Sequence, residues 1–203
     1  HKKDTASVDV MVMADSSKRR PTYVLSRGNY DMPGPEVGVG IPKSILPYSN
    51  TKYGQNRLGL ARWLIDPQNP LTSRVFVNRM WAQIFGRGIV KTVGDFGMQG
   101  ELPTHPELLD WLAVDFQSHG WNIKRLVKQM VMSATYQQSS DVPSAALKSD
   151  PENIYLSHAP RLRLPAENVR DHVLASADIL YPEIGGPSVK PYQPKGLWEM
   201  ATS

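Results

Sequence analysis

Residues 94–112, GDFGMQGELPTHPELLDWL, set His105 among Asp95, Glu101, Glu107 and Asp110. A histidine among carboxylates has the makings of general acid–base catalysis, because imidazole titrates near neutrality and a carboxylate can orient it. Carboxylates by themselves suit a hard cation such as Ca²⁺ or Mg²⁺. Asp95-Phe96-Gly97 also has the form of the kinase tripeptide that holds Mg²⁺. The His-Arg-Asp that should precede it is missing from SRVFVNRMWAQIFGRG, and no Val-Ala-Ile-Lys occurs, so the kinase reading is rejected. Asp95 and His105 stand as the catalytic candidates. Residues 71–94 carry Arg74, Arg79, Arg87 and Lys91 and no acid, whereas residues 95–115 carry five acids and no Lys or Arg. That asymmetry predicts that the two stretches face each other or line a cleft, and it adds Arg74, Arg79 and Arg87 to Asp95 and His105 as ligand-binding candidates.

Other chemistries fail on residue type or spacing. GPEVGVGIPKS at 34–44 has Pro42 where a phosphate-binding loop needs Gly, which removes a backbone N–H that should face phosphate. There is no Gly-x-Ser-x-Gly elbow. With no cysteine, disulfides, thiol catalysis and zinc-thiolate sites are excluded, and without Cys-x-x-Cys-His no haem is expected. His105 and His119 share one predicted helix but lie about 21 Å apart along it, too far to chelate one ion. His158 and His172 show no ligand spacing. No metal and no cofactor is therefore assigned, and a carboxylate site for a hard cation at 95–115 stays open.

The net charge of +4 permits an anionic ligand without demanding nucleic acid. No apolar run reaches the roughly 20 residues of a membrane span. Lys124, Arg125 and Lys128 follow a helix–turn–helix layout over 106–138, so a nucleic-acid binder is kept as an alternative to an αα-hairpin with a solvated basic face.

The elements that must position these residues are mainly helical. Only four of the 17 prolines lie between 54 and 140, at 67, 70, 103 and 106, which marks out a helical centre with irregular arms. The spacing predicts helices over about 55–65, 71–86, 105–118, 122–137 and 165–180. The second repeats Val77, Met80, Trp81, Ile84 and Phe85. The third starts at THPE, read as a capping box of Thr104 with Glu107. The fourth is capped by Asn122. The fifth is expected to bury Ala166, Val169, Val173, Ala177 and Leu180.

VDVMVM at 8–13 and PTYVLS at 21–26 read as two β-runs around a polar loop, and the Gly/Pro-rich stretch 28–53 as a loop packed on the core through Val37, Val39, Ile41, Ile45 and Leu46. Phe96 and Met98 are expected to turn inward, with the neighbouring glycines at positive φ. The tail YPEIGGPSVKPYQPKGLWEM is expected to be irregular. The whole is expected to be one domain over 1–203, a compact core of about five helices with a small N-terminal β-element, cut from a longer protein.

On a helical wheel the third helix has an apolar stripe of Leu108, Trp111, Leu112 and Phe116. Asp115 falls inside it, and Asp110 opposite. A carboxylate on a buried face needs a partner. The expectation is a structural polar cluster in which Asp115 meets Arg74, with Asn78 completing the bonds and Arg170 as the second candidate.

NRLGLARWLIDPQNPLTSRVFVNRMWAQIFGRGIVKTVGDFGMQGELPTHPELLDWLAVDFQSHGWNIKRLVKQMVMSATYQQSS, with PTYVLSRGNYD before it and RLRLPAENVRDHVL and GGPSVKPYQPKGLWE after it, resembles the planctomycete-type domain of unknown function 1553. The resemblance spans nearly the whole chain. It implies an exported, extracytoplasmic multidomain protein whose other domains, often including a cytochrome c-type one, are partners of this one. It also suggests work on polysaccharides, and it carries no established activity. The expected role is a structural or binding module holding an anionic or polysaccharide ligand or a partner domain. The rival is a hydrolase or redox-associated enzyme centred on Asp95 and His105.

Overall fold

The computed structural model of the protein describes residues 9–16, 18, 20–142, 144–185 and 192. Among them two strands, β1 (Thr22–Leu25) and β2 (Pro33–Val37), precede seven helices. These are α1 (Asn50–Tyr53), α2 (Arg57–Leu64), α3 (Thr72–Phe85), α4 (Pro106–Ser118), α5 (Ile123–Val131), α6 (Ser144–Ser149) and α7 (Ala166–Ser176). The fold is mainly α, as the proline distribution predicts. The five expected helices correspond to α2–α5 and α7, and the short α1 and α6 are additional. By internal contacts the chain divides into His1–Arg161, which carries both strands and α1–α6, and Leu162–Ser203, which carries α7.

The β-element is built differently from the expectation. β1 pairs antiparallel with β2 in the register Thr22↔Val37, Tyr23↔Glu36 and Leu25↔Pro33. Arg27 and Gly28 turn the chain between them at φ 52° and 74°. Residues 9–13 form no strand and are exposed, and residue 8 lies outside the described residues. Val10, Met11, Val12 and Met13 are apolar on both faces of an extended chain, and an exposed hairpin offers no cover for two faces. Pro33 and Pro35 are tolerated in β2 because each strand of a two-stranded sheet is an edge strand. Gly34 is needed there, since a Cβ would lie 2.8 Å from the Val24 carbonyl oxygen. The stretch after β2 is less packed than expected: Val37 and Val39 are exposed, whereas Ile41, Ile45 and Leu46 are half-buried.

The core lies among α3, α4 and α5. Val77, Trp81 and Phe85 of α3 meet Leu109, Leu112 and Phe116 of α4 and Leu126 and Met130 of α5, with Ile89 and Val90 from the α3–α4 connection. Phe76 stacks on Phe116 with ring centroids 5.0 Å apart, and Trp121 meets Phe116 edge-on at 5.2 Å. The Asn69 side chain accepts the N–H groups of Leu71 and Thr72, which starts α3 just after Pro70. Gly86 at φ 80° ends it.

Helix α4 departs from the expectation at two points. Thr104 is not its cap. Its N–H and hydroxyl both donate to the Ile89 carbonyl, at 2.9 and 3.2 Å, so His105 occupies the N-cap position without a side-chain bond to the helix N–H groups and Pro106 follows as the first helical residue. The buried stripe is Leu109, Leu112, Ala113 and Phe116, and Trp111 is 56% exposed. Turning small Ala113 inward permits close helix approach, and the same rotation carries the bulky Trp111 outward.

Helix α5 starts as predicted, with Asn122 accepting the N–H of Arg125 at 3.0 Å. It ends at Val131 rather than near 137, where the Ser133 hydroxyl donates to the Met130 carbonyl at 2.6 Å. Within its own unit α7 buries none of its residues, contrary to the expected stripe, because among the described residues of 162–203 no second helix or sheet packs on it. Residues 181–185 are irregular, and the rest of the expected irregular tail, apart from residue 192, lies outside the described residues.

Candidate functional site

The connection from α3 to α4 carries both catalytic candidates, and side-chain bonds to its own backbone shape it. Asn78 of α3 is fully buried. It donates to the Val90 carbonyl and accepts the Val90 N–H, both at 2.9 Å. Gly88 belongs to this clasp, since a Cβ there would come within 2.8 Å of the Asn78 amide nitrogen. Further along, the Thr92 hydroxyl donates to the Asp95 carbonyl at 2.8 Å and accepts the Glu101 N–H at 3.0 Å. The Asp95 carboxylate accepts the Gly97 N–H at 2.7 Å. His105 instead meets the Thr104 hydroxyl through Nδ1 at 2.9 Å. Among the described residues no hydrogen bond or ion pair joins Asp95 to His105.

The inward packing expected of this loop holds for Phe96, which is half-buried against the core, but not for Met98, which is fully exposed. Gly94, Gly97 and Gly100 do not take positive φ. The side chains of Thr92 and Asp95 form the turns, so left-handed backbone is not required.

The arginines divide by location. Arg74 donates through Nε to Asp110 and through NH1 to the Pro70 carbonyl, both at 2.6 Å. Its bond holds the Asp110 carboxyl below the usual carboxylate range. Arg87 binds Glu152 and stands 4.0 Å from Glu101. Lys91 reaches the same Glu152 oxygen at 3.4 Å. The Lys91 ammonium first, and Arg87 beside it, depress the Glu152 carboxyl. The basic stretch 71–94 and the acidic stretch 95–115 are therefore bridged at Arg74–Asp110 and Arg87–Glu101. Arg79 is exposed and makes no hydrogen bond or ion pair among the described residues.

Asp115 has a partner, but not the one its sequence position suggested. It is only 14% exposed, and Arg125 of α5 binds both of its carboxylate oxygens, NH2 donating to Oδ1 at 3.2 Å and NH1 to Oδ2. That fork lowers the Asp115 carboxyl. His119 adds Nδ1 at 3.2 Å from Oδ1. Arg74 is committed to Asp110, and Asn78 to Val90. Arg170 lies in the second unit, with NH1 3.6 Å from Asp171. The side chains of Arg74, Asn78 and Asp115 therefore bond to partners other than one another.

Two buried carboxylates escaped sequence reasoning. Asp66 accepts from the Tyr53 phenol at 2.7 Å and the Gln68 N–H at 2.9 Å, and pairs with Lys52 at 2.6 Å. The bond from Lys52 leads in lowering its pKa to about 2, with Gln68 and Tyr53 adding to it. In the sequence Asp66 precedes Pro67, a pair that reads as the stop of the helix over about 55–65 and gives no sign of burial. Asp150 accepts the N–H groups of Ile154 and Tyr155 at 2.7 and 2.8 Å. Its only signal was the turn chemistry of Asp150-Pro151. Among the described residues no three His, Asp or Glu side chains gather as a metal ion would require.

The pairs Arg74–Asp110, Arg87–Glu152 and Arg125–Asp115 thus act as ties between separate stretches of the chain. Comparison with known proteins adds a family. The family described as Protein of unknown function (DUF1553) has a model that matches residues 56–203, from the cap of α2 through α7. No curated protein and no solved structure matches the chain. With most of its length inside that match, the chain belongs to the DUF1553 family, whose function is unknown.

Proposed function

We propose that the chain is a structural and binding module of an exported multidomain protein, acting outside the cytoplasm and docking against other domains of its own polypeptide. The observation that supports this reading is the commitment of three arginines to internal ties: Arg74 to Asp110, Arg87 to Glu152 and Arg125 to Asp115. Arginines engaged in this way stiffen a scaffold and are not free for a substrate.

The outer face of α4 supports the docking part of the reading. Trp111 and Val114 are exposed there between Glu107 and Ser118, and a solvent-facing tryptophan is a residue type enriched at the energetic centres of interfaces. Export and a polysaccharide ligand rest on the family resemblance alone, and an anionic ligand on the net charge of +4 and the basic stretch 71–94. No helix among the described residues is long and apolar enough to cross a membrane. The enzyme alternative at Asp95 and His105 gains no support from two side chains that bond separately.

Hydroxyl-radical footprinting tests the module. Trp111 should be oxidised readily in the isolated chain and be protected in the whole polypeptide that carries it. Equal oxidation in both would remove the docking face and with it this reading.

A further inference from the structure

A groove of about 1240 Å³ opens beside the β-hairpin. One wall is the open end of the hairpin, where Thr22 pairs with Val37, and the other is the start of α2, from Gln55 to Leu60. Gly38, Val39 and Gly40 run between the walls. We propose that this groove binds a peptide segment in extended form, carrying acidic side chains, through main-chain contact with residues 38–40.

Three observations select this ligand. First, among the described residues the backbone groups of 38–41 make no hydrogen bonds, although they continue directly from an edge strand. Free N–H and C=O groups leading out of a strand are what a second backbone pairs with. Positions 38 and 40 expose that backbone fully, because a Cβ on either glycine would meet no atom within 4 Å.

Second, the charges favour an acidic partner. Arg57 is neutralised by Asp15 at 2.6 Å. Among the described residues Lys18 and Arg20 make no ion pair and face only Glu36 as an unpaired acid in the lining, so positive charge is in excess. Third, none of the described lining residues is aromatic, so they offer no flat stacking surface of the kind a sugar ring would use, while Val37 and Leu60 offer apolar contact to a peptide side chain. Most of the lining precedes residue 56, outside the family match, so the site belongs to this chain's N-terminal stretch. It shares no residue with the outer face of α4, and the two readings stand or fall separately.

A random-peptide phage library panned on the whole chain provides the test, with selected peptides then measured by fluorescence anisotropy. Gly38→Val and Gly40→Val put a side chain into open space, and neither position has a left-handed φ, so both variants should keep the wild-type melting temperature. Arg20→Glu alters charge alone and serves if either glycine variant melts early. The expected result is enrichment of acidic sequences whose affinity falls ~10-fold or more in each variant and weakens with added salt. No enrichment, or peptides that bind all three variants undiminished, overturns the proposal. A dimer that dissociates in Arg20→Glu overturns it too, by assigning the groove to a second copy of the chain.

Discussion

Arg125 of α5 closes on Asp115 of α4 with both terminal nitrogens of its guanidinium, while Arg74 of α3 holds Asp110 on the other flank of the same helix. Five residues of α-helix separate the two carboxylates by about 140° around the axis. The buried stripe of Leu109, Leu112, Ala113 and Phe116 fills the wider arc between them, of about 220°, and the exposed Trp111 and Val114 lie in the narrower one. Helix α4 is thus held on both edges of its apolar face, by arginines from two different helices.

Removing the carboxylate at Asp115 should leave a partly buried guanidinium short of its partner. Asp115→Ala is expected to cost about 1–3 kcal/mol in urea denaturation, and the double variant with Arg125→Ala to recover part of that loss. A double variant with Arg74→Ala should instead be additive. Recovery through Arg74 and not Arg125 would contradict the pairing.

Asn78 satisfies both backbone groups of Val90 inside the core. Asn78→Ala strands a donor and an acceptor, and about 2–4 kcal/mol should be lost. Hydrogen exchange of the Val90 amide should accelerate in the variant. An unchanged rate would mean that the clasp does not hold the start of the α3–α4 connection.

Asp66 makes stability depend on acid. Its folded pKa of about 2 lies below the ~3.9 of an unfolded aspartate, so its contribution is complete above the unfolded value and is lost as pH falls through the folded one. Melting of the wild type should show a loss of about 2 kcal/mol from this group between pH 5 and pH 2. Asp66→Asn should be less stable at pH 5 and show a shallower fall. Parallel curves would place the acid sensitivity elsewhere.

Phe96 and Met98 are two residues apart but differ in environment. Phe96→Ala should destabilise by about 1–3 kcal/mol, below the cost of a fully buried phenylalanine, and Met98→Ala should stay within about 0.5 kcal/mol. Equal effects in thermal melts would show that the loop packs in another way.

What could be read in the sequence is local in origin. The 3.6-residue repeat of Val77, Trp81 and Phe85, the cap at Asn122 and the stop at Gly86 each depend on neighbours within one or two turns, so α3 and the start of α5 were legible. The need of Asp115 for a partner was legible for the same reason, from the wheel of one helix. Its partner was not. Gly120 and Trp121, at φ 66° and 58°, reverse the chain so that Arg125 returns beside Asp115, and nothing in the composition of that turn reveals its geometry. The choice of β2 over the 8–13 run, the rotation of α4 about its axis, and the burial of Asp66 and Asp150 likewise rest on contacts between distant segments. Side-chain type and spacing determine which helices form and which groups require partners. Only the tertiary structure decides which partners they meet, because hydrogen bonds and ion pairs act over a few ångströms and depend on how complete elements are placed against one another.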